Sequence, residues 1–220
     1  MLIGVVKGYR RGFLRLAVWL LGLIGVIFIV TKLQPSVSEY VINETTLYET
    51  VREKIITIYN TEASEASLEE ESVTEDQSGE RTVEALGLPE IISADIIKSC
   101  AGEMYQKLAA SLFEEFISGY LAKLVIKAGS FVGLFIALAL AMTVLLLAIK
   151  VIEKIPVLKT FNRLLGVGAG LSISLILIWV FFLAIMMLFG NSLGGWLITQ
   201  VQGSRILAYL FNNNVLFSFL

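Results

Sequence analysis

The chain has 220 residues and a net charge of −2; 56% of its residues are hydrophobic and only 16% are charged. Soluble domains carry about 25% charged residues, so this composition and a mean hydropathy of +0.80 indicate that much of the chain faces lipid. The absence of His excludes a Ser-His-Asp triad and His-ligated zinc or haem. The single Cys100 excludes an intrachain disulfide and a cysteine metal cluster. The sequence has no strongly basic segment of the kind that binds nucleic acid, and it has no pattern that indicates a cofactor.

The first uncharged run covers residues 16–31. Starting at Phe13, with the Arg15 side chain extended to the interface, it supplies about 30 Å of helix, which is long enough to span a bilayer. The basic start resembles the beginning of a signal peptide, but the apolar run is too long and no small-x-small cleavage site follows it. We therefore expect residues 1–33 to form a basic N-terminus and an uncleaved first transmembrane helix.

Two further uncharged runs cover residues 128–149 and the apolar first part, 164–189, of a longer run. The first of these supplies about 33 Å of helix. The segment 128–189 is therefore predicted to hold the second and third transmembrane helices, joined by a basic loop. The predicted fold class is an all-α integral membrane protein with three transmembrane helices, amphipathic interfacial helices and a disordered acidic linker.

Basic residues set the expected orientation, because cytoplasmic loops of membrane proteins are enriched in Lys and Arg. Two basic clusters flank the spans, and three spans place both on the same side of the membrane. That side is predicted to be cytoplasmic, so the middle segment and the C-terminal tail are expected outside the cytoplasm. The two clusters, which are candidates for lipid-headgroup contact, are Lys7, Arg10, Arg11 and Arg15, and Lys150, Lys154, Lys159 and Arg163.

The middle segment divides into three parts by composition. Apolar residues at helical spacing predict amphipathic helices over 34–59 and 89–127. Residues 60–88 are rich in Glu, Ser and Thr and nearly free of large apolar residues, so they are predicted to form a disordered acidic linker. The tail, 190–220, is apolar but broken by Gly and Asn, and its Trp196 and Tyr209 predict an interfacial location.

Small residues recur at every fourth position in the last two predicted spans. Such stripes let helix backbones approach closely where lipid supplies no hydrophobic drive for association. We expect the two spans to pack against each other, or against further copies of the chain in an oligomer. The residues are Gly129, Gly133, Ala137 and Ala141 in the second span, and Gly166, Gly170 and Ser174 in the third.

Neither the second nor the third predicted span contains a charged residue. Proton relays and ion-coupled carriers usually place a charge within the membrane, so this absence argues against a proton-coupled transporter. An oligomeric pore lined by small polar side chains stays open as an alternative. Its candidate lining residues are Ser130, Thr143, Ser172 and Ser174.

Two motifs resemble the colicin V production protein (CvpA) family. One is Gly8-Tyr9-Arg10-Arg11-Gly12-Phe13 before the first span, and the other combines Pro156 with Asn162, Arg163 and Gly166 around the basic loop. A weaker similarity is the ending with Arg205, Tyr209 and three consecutive Asn residues. The resemblance covers about residues 5–32 and 124–220.

The resemblance implies a multi-pass protein of the bacterial inner membrane that is linked to toxin production or export and to envelope homeostasis. It implies no catalytic residue, and it leaves the lipid bilayer and either a homo-oligomer or other membrane proteins as partners. The family typically has another span before the glycine-arginine motif, for which the seven residues here are too few. Two expectations follow: the start is truncated relative to the family, or this member uses three spans.

Overall fold

The structure is a computed structural model that describes residues 13–67, 88–100, 110–148, 159–189 and 191–220. Several predicted features fall outside these ranges. They are residues 68–87 of the acidic linker, the cations Lys7, Arg10, Arg11, Lys150 and Lys154, and the motif residues Gly8, Tyr9, Gly12 and Pro156.

The described residues are almost entirely helical and contain no strand, which confirms the all-α fold class. Within the described ranges, seven α-helices and a short 3₁₀ helix follow one another. They are α1 (Phe13–Glu44), α2 (Leu47–Ser67), α3 (Glu90–Cys100), α4 (Ala110–Ala148), α5 (Lys159–Met187), α6 (Ser192–Gln202), α7 (Arg205–Asn212) and the 3₁₀ helix Val215–Phe219.

Three of these helices are long and apolar enough to cross a membrane. The qualifying segments are Leu16–Glu44 in α1, Glu115–Leu146 in α4 and Leu165–Met187 in α5. Large apolar side chains project outward from all three, including Phe28, Leu140 and Phe181. Exposed side chains of this kind are stable in lipid and costly in water, so the prediction of a membrane protein with three apolar helices is confirmed.

Contacts at both ends show that α1 runs antiparallel to α4. Gly22 faces Met142 near one end, and the Gln34 amide donates to the Lys127 carbonyl oxygen at 3.4 Å towards the other. Gly129 of α4 faces Met187 at the end of α5. Further along α4, Phe135 shares a buried cluster with the earlier α5 residue Val180, so α4 and α5 are antiparallel as well. Large buried side chains fill the space among the three helices, including Val30, Phe131, Phe135, Val180 and Leu183.

Helices α1 and α4 are longer than the sequence predicts. Helix α1 continues through Pro35 to Glu44, although a boundary was predicted at residue 33. A proline inside a helix removes one hydrogen bond, but packing can hold the helix together, and Gln34 and Ser38 are buried on either side of Pro35. Helix α4 likewise joins part of the predicted amphipathic helix 89–127 to the second span without a break, because buried residues continue along one face from Ile117 to Phe135.

The predicted start of the acidic linker at residue 60 is also wrong, because α2 continues to Ser67. This extension, residues 60–67, contains four strong helix formers, Glu62, Ala63, Glu65 and Ala66, and the other residues are short and polar. The predicted amphipathic helix 34–59 is interrupted instead at residues 45–46, where α1 ends and α2 begins.

We call the end of the bundle at which α1 ends and α4 begins the head, and the opposite end the base. The head comprises α2, α3 and the parts of α1 and α4 at residues 33–44 and 110–127. Along α1 and α4 the first charged residues on the head side of the apolar bundle are Lys32 and Lys127. The head has its own buried side chains, among them Ile55, Ile96, Ile117 and Leu121.

Gly22 provides a test of the α1–α4 contact. A Cβ atom at this position would overlap the Met142 sulfur, so the flexible end of Met142 must move, and Gly22→Val should lower the free energy of unfolding by about 1 kcal/mol. The measurement is thermal unfolding of the purified protein in detergent. Gly25→Val is the matched control, because a Cβ at Gly25 meets no atom within 4 Å.

Adding Met142→Ala to Gly22→Val should recover part of the loss, since the shorter side chain vacates the space that the new methyl groups need. Equal unfolding temperatures for Gly22→Val and Gly25→Val would contradict this account of the helix contact.

Candidate functional site

The predicted basic and motif residues that the structure describes belong to the base. Phe13 begins α1 and is followed by Arg15, while Lys159, Asn162 and Arg163 lie in the first turns of α5. Helices α1 and α5 both run antiparallel to α4, so their beginnings lie at the same end of the bundle. Gly166, the last residue of the second motif, is buried in α5. The structure therefore brings parts of both motifs to one end of the molecule.

The second and third spans pack against each other as expected, but not through the whole predicted stripe of α4. Only Gly129 meets α5 there, where its Cβ would lie 3.4 Å from the Met187 side chain. Gly133, Ala137 and Ala141 are exposed, and a Cβ at Gly133 meets no atom within 4 Å. For these three residues the prediction of packing within one chain is wrong, because the larger Phe131, Val132 and Phe135 occupy the packing face of α4.

The stripe in α5 lies differently. Gly166 and Gly170 are buried, and Ser174 is half-buried with its hydroxyl donating to the Gly170 carbonyl oxygen at 2.8 Å. Thr143 and Ser172, two further candidates for a pore lining, also donate to carbonyl oxygens four residues earlier in their own helices. Such bonds satisfy a hydroxyl donor within an apolar environment without a partner helix or water.

Polar contacts join helices of the head that are distant in sequence. The Arg52 guanidinium donates to the Glu115 carboxylate at 2.8 Å and so links α2 to α4. The Tyr120 hydroxyl donates to the Asp95 carboxylate and links α4 to α3. Exposed ion pairs contribute about 0–1 kcal/mol, so these contacts define how the helices are oriented, whereas the buried isoleucines and leucines supply most of the stability.

The chain after α5 turns back and packs against the apolar body of that helix. The Trp179 indole donates to the Leu210 carbonyl oxygen at 3.2 Å, and the Asn214 amide donates to the Trp179 carbonyl oxygen at 3.1 Å. Trp179 lies eight residues before Met187, or about 12 Å along the helix. The tail therefore descends beside α5, whereas the sequence predicted a tail that remains at the interface.

The Asn214 side chain holds the returning tail against α5. Its side chain is only 2% exposed, and besides donating to α5 it accepts a hydrogen bond from the Leu216 N–H at 3.0 Å, which begins the 3₁₀ helix. Non-helical backbone is tolerated at membrane depth only where protein or water satisfies its polar groups. Aromatic packing supports the same segment, since the Phe211 ring centroid lies 5.1 Å from that of Phe182 and 5.3 Å from that of Phe217.

A cavity of about 400 Å³ lies where this returning tail meets the head. The start of α3 contributes Leu88 and Glu90, and α6 and α7 contribute Val201, Phe211 and Asn212. The Asn212 amide donates to the Glu90 carboxylate at 3.1 Å across the cavity rim. The volume is within the range typical of small-molecule sites, about 300–1,000 Å³. Within the described ranges, no three His, Cys, Asp or Glu side chains are grouped so that they could hold a metal ion.

No family model, no curated protein and no solved structure matches this chain. The similarity to the colicin V production family consequently rests on the motifs alone.

Sequence reasoning missed the polar residues that organise the head and the tail. The sequence marks Asn212 and Asn214 only as breaks in an apolar, interfacial tail and as part of the family similarity, although one binds Glu90 and the other α5. Gln34 was not singled out, although it is 1% exposed and bonded to α4. Their signal is an amide side chain beside an apolar stretch, which indicates a hydrogen bond but not its partner.

The two neighbouring residues Asn213 and Asn214 give a matched test of the returning tail. Asn214→Ala should lower the free energy of unfolding by about 1–3 kcal/mol and expose the tail to protease, because the Leu216 N–H loses its acceptor. Asn213→Ala should have a much smaller effect, because the Asn213 side chain is exposed. Limited proteolysis in detergent with mass spectrometry measures both, and equal cleavage of the two variants would exclude this function of Asn214.

Proposed function

We propose that this chain is a multi-pass membrane protein that assists toxin production or export, or envelope homeostasis, by a non-enzymatic mechanism. The similarity of its motifs to the colicin V production family suggests the process. The observation that carries the mechanism is the continuity of α1 and α4, each of which runs unbroken from the apolar bundle into the head. A partner that binds the head therefore contacts the same two helices that lie among lipids in the apolar bundle.

The proposed orientation has the base in the cytoplasm and the head outside it. Arg15, Lys159 and Arg163 belong to the base, which supports this orientation by the positive-inside rule. Helix α6 begins at the head end of α5, so the proposal also has α6 outside the cytoplasm, and the resemblance implies that the membrane is a bacterial inner membrane.

The lipid-facing side of α4 is the proposed contact for a second copy or another membrane protein. Gly133, Ala137 and Ala141 follow one another on that side and leave the backbone open to close approach. Large apolar residues, Ile136 and Leu140, border the small ones and would pack around an incoming helix. The face is thus suited to helix association while remaining compatible with lipid in the free chain.

Replacing Gly133 with Leu tests this contact without disturbing the fold. Because the position is open within one chain, Gly133→Leu should leave the unfolding temperature nearly unchanged and reduce crosslinking to copies or partners in membranes. Gly168→Leu is the matched control, since a Cβ there also meets nothing within 4 Å and the residue lies on α5. Undiminished crosslinking of Gly133→Leu would rule out this face as the contact.

Topology reporters at Glu75 and Pro156 test the proposed orientation. The first should report the extracytoplasmic side and the second the cytoplasm, because an odd number of crossings separates the two positions. Detection of both reporters on one side would overturn the proposed topology. Affinity capture from membranes after crosslinking would then identify the partners of the correctly oriented chain.

The alternative function is an oligomeric channel or a component of a transporter. Ser172 is exposed on α5, so a polar path could form between copies rather than through one chain. The hydroxyls of Thr143, Ser172 and Ser174 are already bonded within their own helices, which favours the assembly mechanism over a pore. Accessibility of cysteines substituted at Ser130, Ser172 and Ser174 to water-soluble reagents separates the two, since a pore requires modification of these sites.

A further inference from the structure

The cavity between α3 and the returning tail lies at the boundary between the apolar bundle and the polar head. Its floor includes Phe211, whose ring packs against Phe182 in the apolar body of α5. Its rim includes Glu90 at the start of the head helix α3. Large exposed side chains on α6 and α7, Trp196 and Tyr209, are of the types enriched at membrane interfaces. A ligand in this cavity would therefore have an apolar part and a polar part.

The rim is complementary to a cation that can donate hydrogen bonds. Glu90 is the one charged side chain that lines the cavity within the described part of the chain. Asn212 donates to one Glu90 oxygen, Oε2, which leaves Glu90 Oε1 and Asn212 Oδ1 as acceptors on the same side of the cavity. A primary ammonium group can donate to both at once, whereas a quaternary ammonium group cannot donate to either.

A phosphate-binding group lies further along the same helix face. Arg205 precedes Ala208 by three residues and Asn212 by seven, so all three share one face of α7. Ala208 and Asn212 line the cavity, and the exposed Arg205 continues this face beyond its rim. An acceptor pair and a guanidinium on one surface match the two charges of a zwitterionic headgroup.

We propose that this cavity binds the ethanolamine headgroup of a phospholipid. The ammonium group donates to Glu90 and Asn212, the phosphate contacts Arg205, and an acyl chain lies over Ile206 and Tyr209, the exposed apolar side chains near Arg205 on α7. This lipid site is independent of the process in which the protein acts, and it would hold the returning tail against α3. Soluble phosphoethanolamine shares the headgroup chemistry but lacks the acyl chains that contact this exposed apolar surface.

Native mass spectrometry of the full chain in detergent tests the site. The protein is incubated with phosphatidylethanolamine or phosphatidylcholine carrying the same acyl chains, and the retained lipid is counted. The wild type should retain phosphatidylethanolamine about tenfold better, as expected for the loss of a charge-assisted hydrogen bond in the choline lipid. Glu90→Gln should remove this preference while keeping an acceptor for Asn212, so that the fold is retained.

Three variants distinguish the site from general attraction to lipid. Arg205→Gln should weaken retention of both lipids alike, and Ala208→Trp should abolish retention by filling the cavity, with thermal unfolding used to verify that both variants fold. Glu53→Gln is the matched control, because it removes an exposed carboxylate from α2 outside the cavity. It should retain the wild-type preference.

Equal retention of the two lipids by the wild type would overturn the proposal, as would an unchanged preference in Glu90→Gln. Displacement of the lipid by soluble phosphoethanolamine at matched concentration would also overturn it, because the site would then recognise the free headgroup. Failure of this test would leave the proposed assembly function unaffected, since that function is measured by crosslinking through Gly133.

Discussion

Backbone N–H and C=O groups need hydrogen-bond partners wherever the chain leaves water, and this requirement governs the bundle, the head and the tail alike. Helices α1, α4 and α5 satisfy this requirement internally, because their backbone N–H and C=O groups bond to each other along each helix. Helix α1 satisfies this requirement despite Pro35, because the buried Gln34 bonds to α4 and the buried Ser38 bonds to the Pro35 carbonyl oxygen, which sustains a helix that a proline would otherwise weaken. The continuity of α1 through this point is what connects the bundle to the head.

The returning tail meets the same requirement by a different means. Its 3₁₀ helix is short, so Asn214 supplies the missing bonds by accepting from Leu216 and donating to Trp179. A buried amide that is bonded on both sides costs little, whereas one with an unpaired group is expensive in a low-dielectric environment. The buried Asn214 thus lies where other parts of the protein bind its polar groups, and Asn212, two residues earlier, lines the cavity.

Different parts of the surface carry different types of side chain, and each type suits a different contact. The lipid-facing sides of α1 and α5 carry large apolar side chains such as Phe28 and Phe181, which suit contact with acyl chains. The corresponding side of α4 carries Gly133, Ala137 and Ala141, which suit contact with another helix. The rim of the cavity carries Glu90 and Asn212, which suit a cationic headgroup. One bundle therefore presents three kinds of surface to its surroundings.

The sequence by itself determined the fold class and the three apolar helices, because uncharged runs of about 20 residues reflect the thickness of a bilayer regardless of what surrounds them. It also identified Gly133 as a residue that permits close approach. Only the tertiary structure decided that Gly22 is used for packing within the chain and Gly133 is not, because a small residue does not specify which neighbour approaches it. The partners of Asn212 and Asn214 were equally hidden, since they lie 122 and 35 residues away in sequence and depend on how the tail returns to the bundle.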